Sequence, residues 1–507
     1  GADDDLIVAG RPELLQGAFI DGGGGRNTIE VDMKGVFAQP FQLNNIQEVQ
    51  VQNLPNVYDL DQTFLADEPG NNVNFPINRG LDGEITSTLD LSRADALDKV
   101  VINEGNFANG NAGGLAVAGI KNFATTRLEG NFTQNVDLFF GRGQGDQLNI
   151  ELANVSFDNT FSVNQNAGAV ELLSEGRINT LNDVDFGENL RELTITGDGE
   201  LSIQDDLGFG FGEATIDASQ NTGGVRLGID AVNDGDALQA INITGSQGND
   251  VFAIDNAEPG TFLNIDTGVG RDTVQLDAAD LSATQDSVIT GENLTVEVSA
   301  NADLREADVS GVDTFVLDGG LLLNQAQVQA ADIASFQAAP DSQPVLTVEA
   351  SEEGTVLSDL VDLGALDSDV KLAFDVKAGA SLDLTAEQLH TYVAQDGIGG
   401  QGVVNLADAA PGFDPSDATG VIGNGTGTIE GNFNGTLNVE RSFDGFDRPE
   451  VAPSGDTLTI TADGDDATVV PEGALDDPTT NDDEIGSLII EGTQDVVFEG
   501  PVDLAEG

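Results

Sequence analysis

The residue types that could do chemistry in this chain are Asp and Gly, and their most regular spacing lies between residues 245 and 276. Gly245-Ser246-Gln247-Gly248-Asn249-Asp250-Val251-Phe252 is followed by Asp266-Thr267-Gly268-Val269-Gly270-Arg271-Asp272-Thr273-Val274. Aligning Gly248 with Gly270 sets Asp250 over Asp272, 22 residues later, each followed by one spacer and an apolar residue. Such a repeat can hold a hard divalent cation. Calcium accepts about six to eight oxygens in loose geometry, so ligands can come from neighbouring turns. Glycine lets a corner adopt positive φ and turn its carbonyls inward, while an Asp just before a strand supplies a carboxylate. The candidate calcium ligands are therefore Asp250, Asp272 and Asp266, with Asn249 and the backbone at Gly248 and Gly270. A third copy, Asp21-Gly22-Gly23-Gly24-Gly25-Arg26-Asn27-Thr28-Ile29, adds Asp21 and Asn27. Gly141-Arg142-Gly143-Gln144-Gly145-Asp146 is a degenerate fourth that adds Asp146. The plainer reading is that Gly, Asp and Asn are ordinary turn formers, with or without a metal.

Other chemistry finds little to work with. There is no cysteine and one histidine, His390, in the helix-like Glu387-Gln388-Leu389-His390-Thr391-Tyr392. Thiol catalysis, His-rich zinc sites and most triads are thereby removed. Neither a G-x-S-x-G elbow nor a phosphate-cradling loop with Lys is present. A carboxylate-only glycosidase or a β-helical polysaccharide lyase stays conceivable, but no Trp and two Tyr supply no sugar platform. The chain reads as a non-enzyme.

The 248–252 and 270–274 segments resemble the G-x-D-x-U half of the nonapeptide repeat of hemolysin-type (RTX) secreted proteins. Ser246 and Thr267 replace or displace glycines of its first half. The intervening strand-turn phrases look like those of bacterial surface-layer proteins that carry such repeats. The resemblance implies a calcium-loaded parallel β-roll at the repeats, dispersed calcium sites, and export unfolded through a type I system. The explicit motif covers about a tenth of the chain.

These corners need strands to position them. Runs of four to six alternating or apolar residues recur between Gly/Asp/Asn clusters, as in Asn149–Leu152, Leu193–Thr196, Ile241–Thr244, Leu294–Val298, Leu458–Thr461 and Ser487–Gly492. Short strands with glycine corners predict an all-β fold. Two architectures fit: parallel β-helix, solenoid-like repeats with Gly/Asp corners, or serial β-sandwich domains in the C-terminal part. Short helices are expected at 277–281, 330–333 and 384–389. Phe139, Phe140, Phe252, Phe262 and Phe315 are expected in the core. Composition shifts divide the chain into a solenoid-like region at 1–340, a second β-rich region at 341–450, and a C-terminal β region at 451–507.

Charge bounds the partners. Eighty-nine acidic residues face eighteen basic ones, a formal charge of −71. Nucleic acid would be repelled, and basic-patch membrane binding fails for the same reason. No apolar stretch approaches the length that spans a bilayer. So strong a charge opposes compaction unless salt or calcium offsets it. The chain begins at Gly1 without a signal-peptide pattern, so a removed leader and an export signal at the other end are both open. The expected function is a secreted, extracellular, cell-surface structural protein that self-assembles into a layer or filament, stabilised by Ca2+. The alternative is a monomeric, calcium-rigidified adhesin binding cell-surface glycan or extracellular matrix.

Overall fold

The structure, a computed structural model, describes residues 3–33, 37–53, 87–103, 114–140, 147–163, 168–277, 287–329, 335–385, 388 and 391–400, with interruptions of one to four residues. Farther on it describes the backbone of strands at 403–407, 436–440, 457–462, 467–469, 487–492 and 496–498. Among the described residues the fold is all-β, 62% strand, and forms a parallel β-solenoid of about 13 turns between residues 6 and 398. The chain makes two compact units, residues 1–274 with 290–293, and residues 275–289 with 294–507.

In the first unit each rung gives strands to two parallel stacks. One stack includes Thr28–Met33, Glu48–Asn53, Lys99–Asn103, Thr125–Phe132, Ala169–Glu175, Glu192–Gly197, Glu213–Asn221, Ala240–Thr244 and Phe262–Asp266. The other includes Ile178–Asp185, Glu200–Leu207, Val225–Asp230 and Val251–Asp255. Strand periodicity of two sends alternate side chains inward, and parallel in-register pairing sets like on like. Ile29, Val49, Val100, Thr126, Ile150, Leu172 and Ile195 form one continuous inward column across seven rungs. All seven are buried. Each aliphatic member contributes about 1.5–3 kcal/mol by leaving water. Thr126 is the exception, with a buried hydroxyl that lacks a partner.

Aromatic rings continue the same logic. Phe132 stacks on Phe157 at 4.4 Å between centroids, and Phe157 meets Phe161 at 5.5 Å. Phe140, Phe252 and Phe315 are buried as expected. Phe139 and Phe262 are only partly buried, because each falls on the outward beat of its strand.

In the second unit Leu321–Asn324, Val345–Ala350, Lys371–Val376 and Val393–Gly400 pair in parallel, and the ladder runs on past 339–344. The strands Ser381–Thr385, Val403–Ala407, Thr436–Glu440, Thr457–Ala462 and Ser487–Gly492 also pair in parallel. That is solenoid pairing rather than the antiparallel pairing of a sandwich. A short helix, Gln325–Val328, is capped by Asn324 and Gln327 in a reciprocal box. Of the helix expected at 384–389, Leu384 and Thr385 instead end a strand in register with Leu406 and Ala407, while Gln388 is helical. There the alternation Leu382-Asp383-Leu384 prevails over helix propensity. Of the helix expected at 277–281, Asp277 ends a strand and the rest lies outside the described residues, as does all of the helix expected at 330–333.

Candidate metal site

The corner between the two stacks of the first unit carries the strongest sequence motif. Gly245 to Asp250 joins Ala240–Thr244 to Val251–Asp255, and Thr267 to Gly270 makes the same corner one rung on. Thr244 pairs with Asp266, and Arg271 donates its N–H to Asn249 Oδ1 at 3.0 Å. The 22-residue alignment of Gly248 with Gly270 is thus the physical rung step. Gly270 has φ +153°, and a Cβ there would lie 2.2 Å from the carbonyl oxygen of Gly248, so the close approach of the two rungs requires glycine.

Asp250 and Asp272 occupy equivalent places in this corner and both are excluded from water, at 0% and 1% exposure. Each carboxylate accepts a backbone N–H from the rung before it. Asp250 Oδ1 accepts from Val225 N–H at 2.8 Å and from Ser246 Oγ–H at 2.6 Å, and its Oδ2 accepts from Ser246 N–H at 2.6 Å. Asp272 Oδ1 accepts from Asp250 N–H at 2.9 Å. Asp272 Oδ2 and Thr267 Oγ1 are buried without hydrogen-bond partners. The Thr267 hydroxyl is close enough to favour the charged form of Asp272, but the two miss hydrogen-bond geometry. Burial pushes Asp250 up to about 6, against the pull of its Ser246 and Val225 donors and with some help from the charge on Asp272. Burial likewise raises Asp272.

The remaining candidates do not join this pair. Asp266 is exposed, and its Oδ1 caps its own turn by accepting from Gly268 N–H. Asn249 is exposed and serves Arg271. Asp21 and Asn27 belong to a different corner, the one leading into Thr28–Met33. Asp21 is exposed and lies below the ordinary carboxylate range because the Asn45 amide and Gly23 N–H donate to it. Asn27 is fully buried; its Oδ1 accepts from Asp5 N–H at 3.0 Å, and its Nδ2 donates to Asn45 O at 2.8 Å. Asp146 and His390 lie outside the described residues.

Calcium fits this corner poorly. Asp250 has both oxygens turned onto protein donors, which leaves Asp272 Oδ2 as the one carboxylate oxygen of the pair without a hydrogen bond, so a calcium ion would have to draw most of its six to eight oxygens from backbone carbonyls. Among the described residues, no group of three or more His, Cys, Asp or Glu is arranged to hold a metal. Sequence reading missed Ser246 as the hydroxyl that saturates Asp250, having marked it as a lost glycine. It also missed Asn179, fully buried in the next strand of the same stack but two, whose Oδ1 accepts from Val155 N–H at 2.8 Å. The legible signal was a Ser four or five residues before a buried Asn or Asp: Ser174 receives a hydrogen bond from Asn179 as Ser246 donates one to Asp250.

Fold and corner together define a parallel β-solenoid whose rungs are joined by buried polar caps. No protein-family model, curated protein or solved structure matches the chain.

Proposed function

We propose that this is a secreted structural protein that works outside the cell, assembling with copies of itself into a surface layer or filament in the presence of calcium. The observation that carries the reading is the in-register parallel solenoid on a chain of net charge −71. Such a stack commits its residues to structure: inward columns bury apolar side chains, and each strand presents backbone hydrogen bonds to the next. Its outward face is strongly anionic, so copies repel one another until cations screen or bridge them. Millimolar calcium outside a cell would do this, and a calcium-poor interior would keep the chain dispersed for export. The likeness of the strand-turn phrases to surface-layer proteins points the same way. Calcium in this reading acts at exposed acids.

Light scattering of the full chain tests the reading during dialysis from chelator into millimolar calcium, with sodium at matched ionic strength as the control. Scattering that rises in calcium and not in sodium supports assembly. A monomer in every condition would move the calcium-rigidified adhesin, with glycan or matrix as its partner, ahead of it.

A further inference from the structure

The corner that reads in sequence as a calcium turn is closed by its own hydrogen bonds. Four buried side chains do one job at four places. Asn27 Oδ1 caps Asp5 N–H, Asn179 Oδ1 caps Val155 N–H, Asp250 Oδ1 caps Val225 N–H, and Asp272 Oδ1 caps Asp250 N–H, all between 2.8 and 3.0 Å. The sequence separations are 22, 24, 25 and 22, so each cap reaches back one rung. Each capped N–H sits where the chain enters or leaves a corner, and a buried N–H without a partner is costly. Two of the four caps are neutral amides, which bind calcium only through one oxygen.

We propose that Asp250 and Asp272 are inter-rung backbone caps, the acidic counterparts of Asn27 and Asn179, and that calcium does not bind between them. A cation there would compete with the Val225 and Ser246 donors for both oxygens of Asp250 and would find only Oδ2 of Asp272 open. The RTX-like spacing at this corner then records a structural requirement: glycines where rungs touch, and an oxygen acceptor at the start of the strand.

Hydrogen exchange on the full chain, read by mass spectrometry over 222–252 and 266–274, tests this with calcium chloride as the probe. The variants are Asp272→Asn and Asp272→Ala. The proposal expects calcium to leave protection of both segments unchanged in wild type. It expects Asp272→Asn to keep the protection at Asp250, and Asp272→Ala to lose it by tenfold or more. Protection that rises with calcium in wild type and no longer does so in Asp272→Asn would overturn it. If Asp272→Ala fails to fold, Asp272→Asn decides alone, since loss of protection there would show that an amide cannot do the work. Calcium-dependent assembly is read separately by scattering, so it can survive the failure of this proposal.

Discussion

Asp250 gives its backbone N–H to Oδ1 of Asp272, one rung on, while its own Oδ1 receives the N–H of Val225, one rung back. Two acids thereby link three rungs through the interior of a corner.

Their partners make the two positions unequal. Asp272 Oδ2 has no hydrogen bond, so Asp272→Asn keeps the cap, removes a buried charge and should stabilise the fold at neutral pH by about 1 kcal/mol. Asp250 Oδ2 accepts from Ser246 N–H, and an amide NH2 in that place would face another donor. Asp250→Asn also removes a buried charge, but this clash of donors offsets the gain by about 1–3 kcal/mol and leaves it less stable than Asp272→Asn. Urea midpoints of the two variants check the order; Asp250→Asn as stable as Asp272→Asn would contradict it.

Acid should strengthen the fold before it weakens it. Asp250 titrates near 6 when folded, so between its unfolded value and 6 the folded state holds more protons than the unfolded state. Its contribution is greatest below the unfolded value and is lost as pH rises through 6, a cost of roughly 3 kcal/mol at neutral pH. Glu151 runs the other way. Burial opposes its charge, but hydrogen bonds from Lys99 and Arg127 outweigh burial and hold it below the ordinary value, so its contribution is lost as pH falls. In chelator, urea midpoints should rise from pH 7.5 to 5.5 and fall again below about 4. A steady decline from pH 7.5 downward would contradict this.

Basic residues are few, and their placement matters. Arg127 pairs with Glu129 on its own strand and with Glu151 and Glu175 on the next two, with Lys99 sharing Glu151 at 2.6 Å. Arg127→Met would leave three acids stacked without their guanidinium. The expected loss is about 1 kcal/mol in low salt, since these groups are partly exposed, and less when salt screens them. Equal loss at low and high salt would argue for a packing role instead.

The inward column offers a control on packing. Thr126 sits between Val100 and Ile150 with its hydroxyl unpartnered. Thr126→Val keeps the shape and removes a buried polar atom, so it should raise stability by about 1 kcal/mol. Thermal unfolding reads this directly, and a lower midpoint would mean that the hydroxyl is satisfied in solution.

Strand positions were legible because a period of two is a local signal: Leu193–Thr196, Ile241–Thr244 and Ser487–Gly492 all fall in strands. The rung step was legible too, since Gly248 and Gly270 are both forced to glycine where backbones touch. What the Asp residues do there was not. A carboxylate before a strand looks the same in sequence whether it faces a cation or the N–H of Val225, because the deciding partner lies one rung away. The same holds for Asn27, which shares the motif spacing of Asp250 but sits at another corner. Leu384 misled for a related reason: its strand is set by pairing with Leu406, outside the reach of local propensity.

The most direct measurement is electron microscopy of the full chain taken from chelator into millimolar calcium and back. The account predicts ordered sheets or filaments that form with calcium and disperse with chelator. Single particles in both conditions would contradict it.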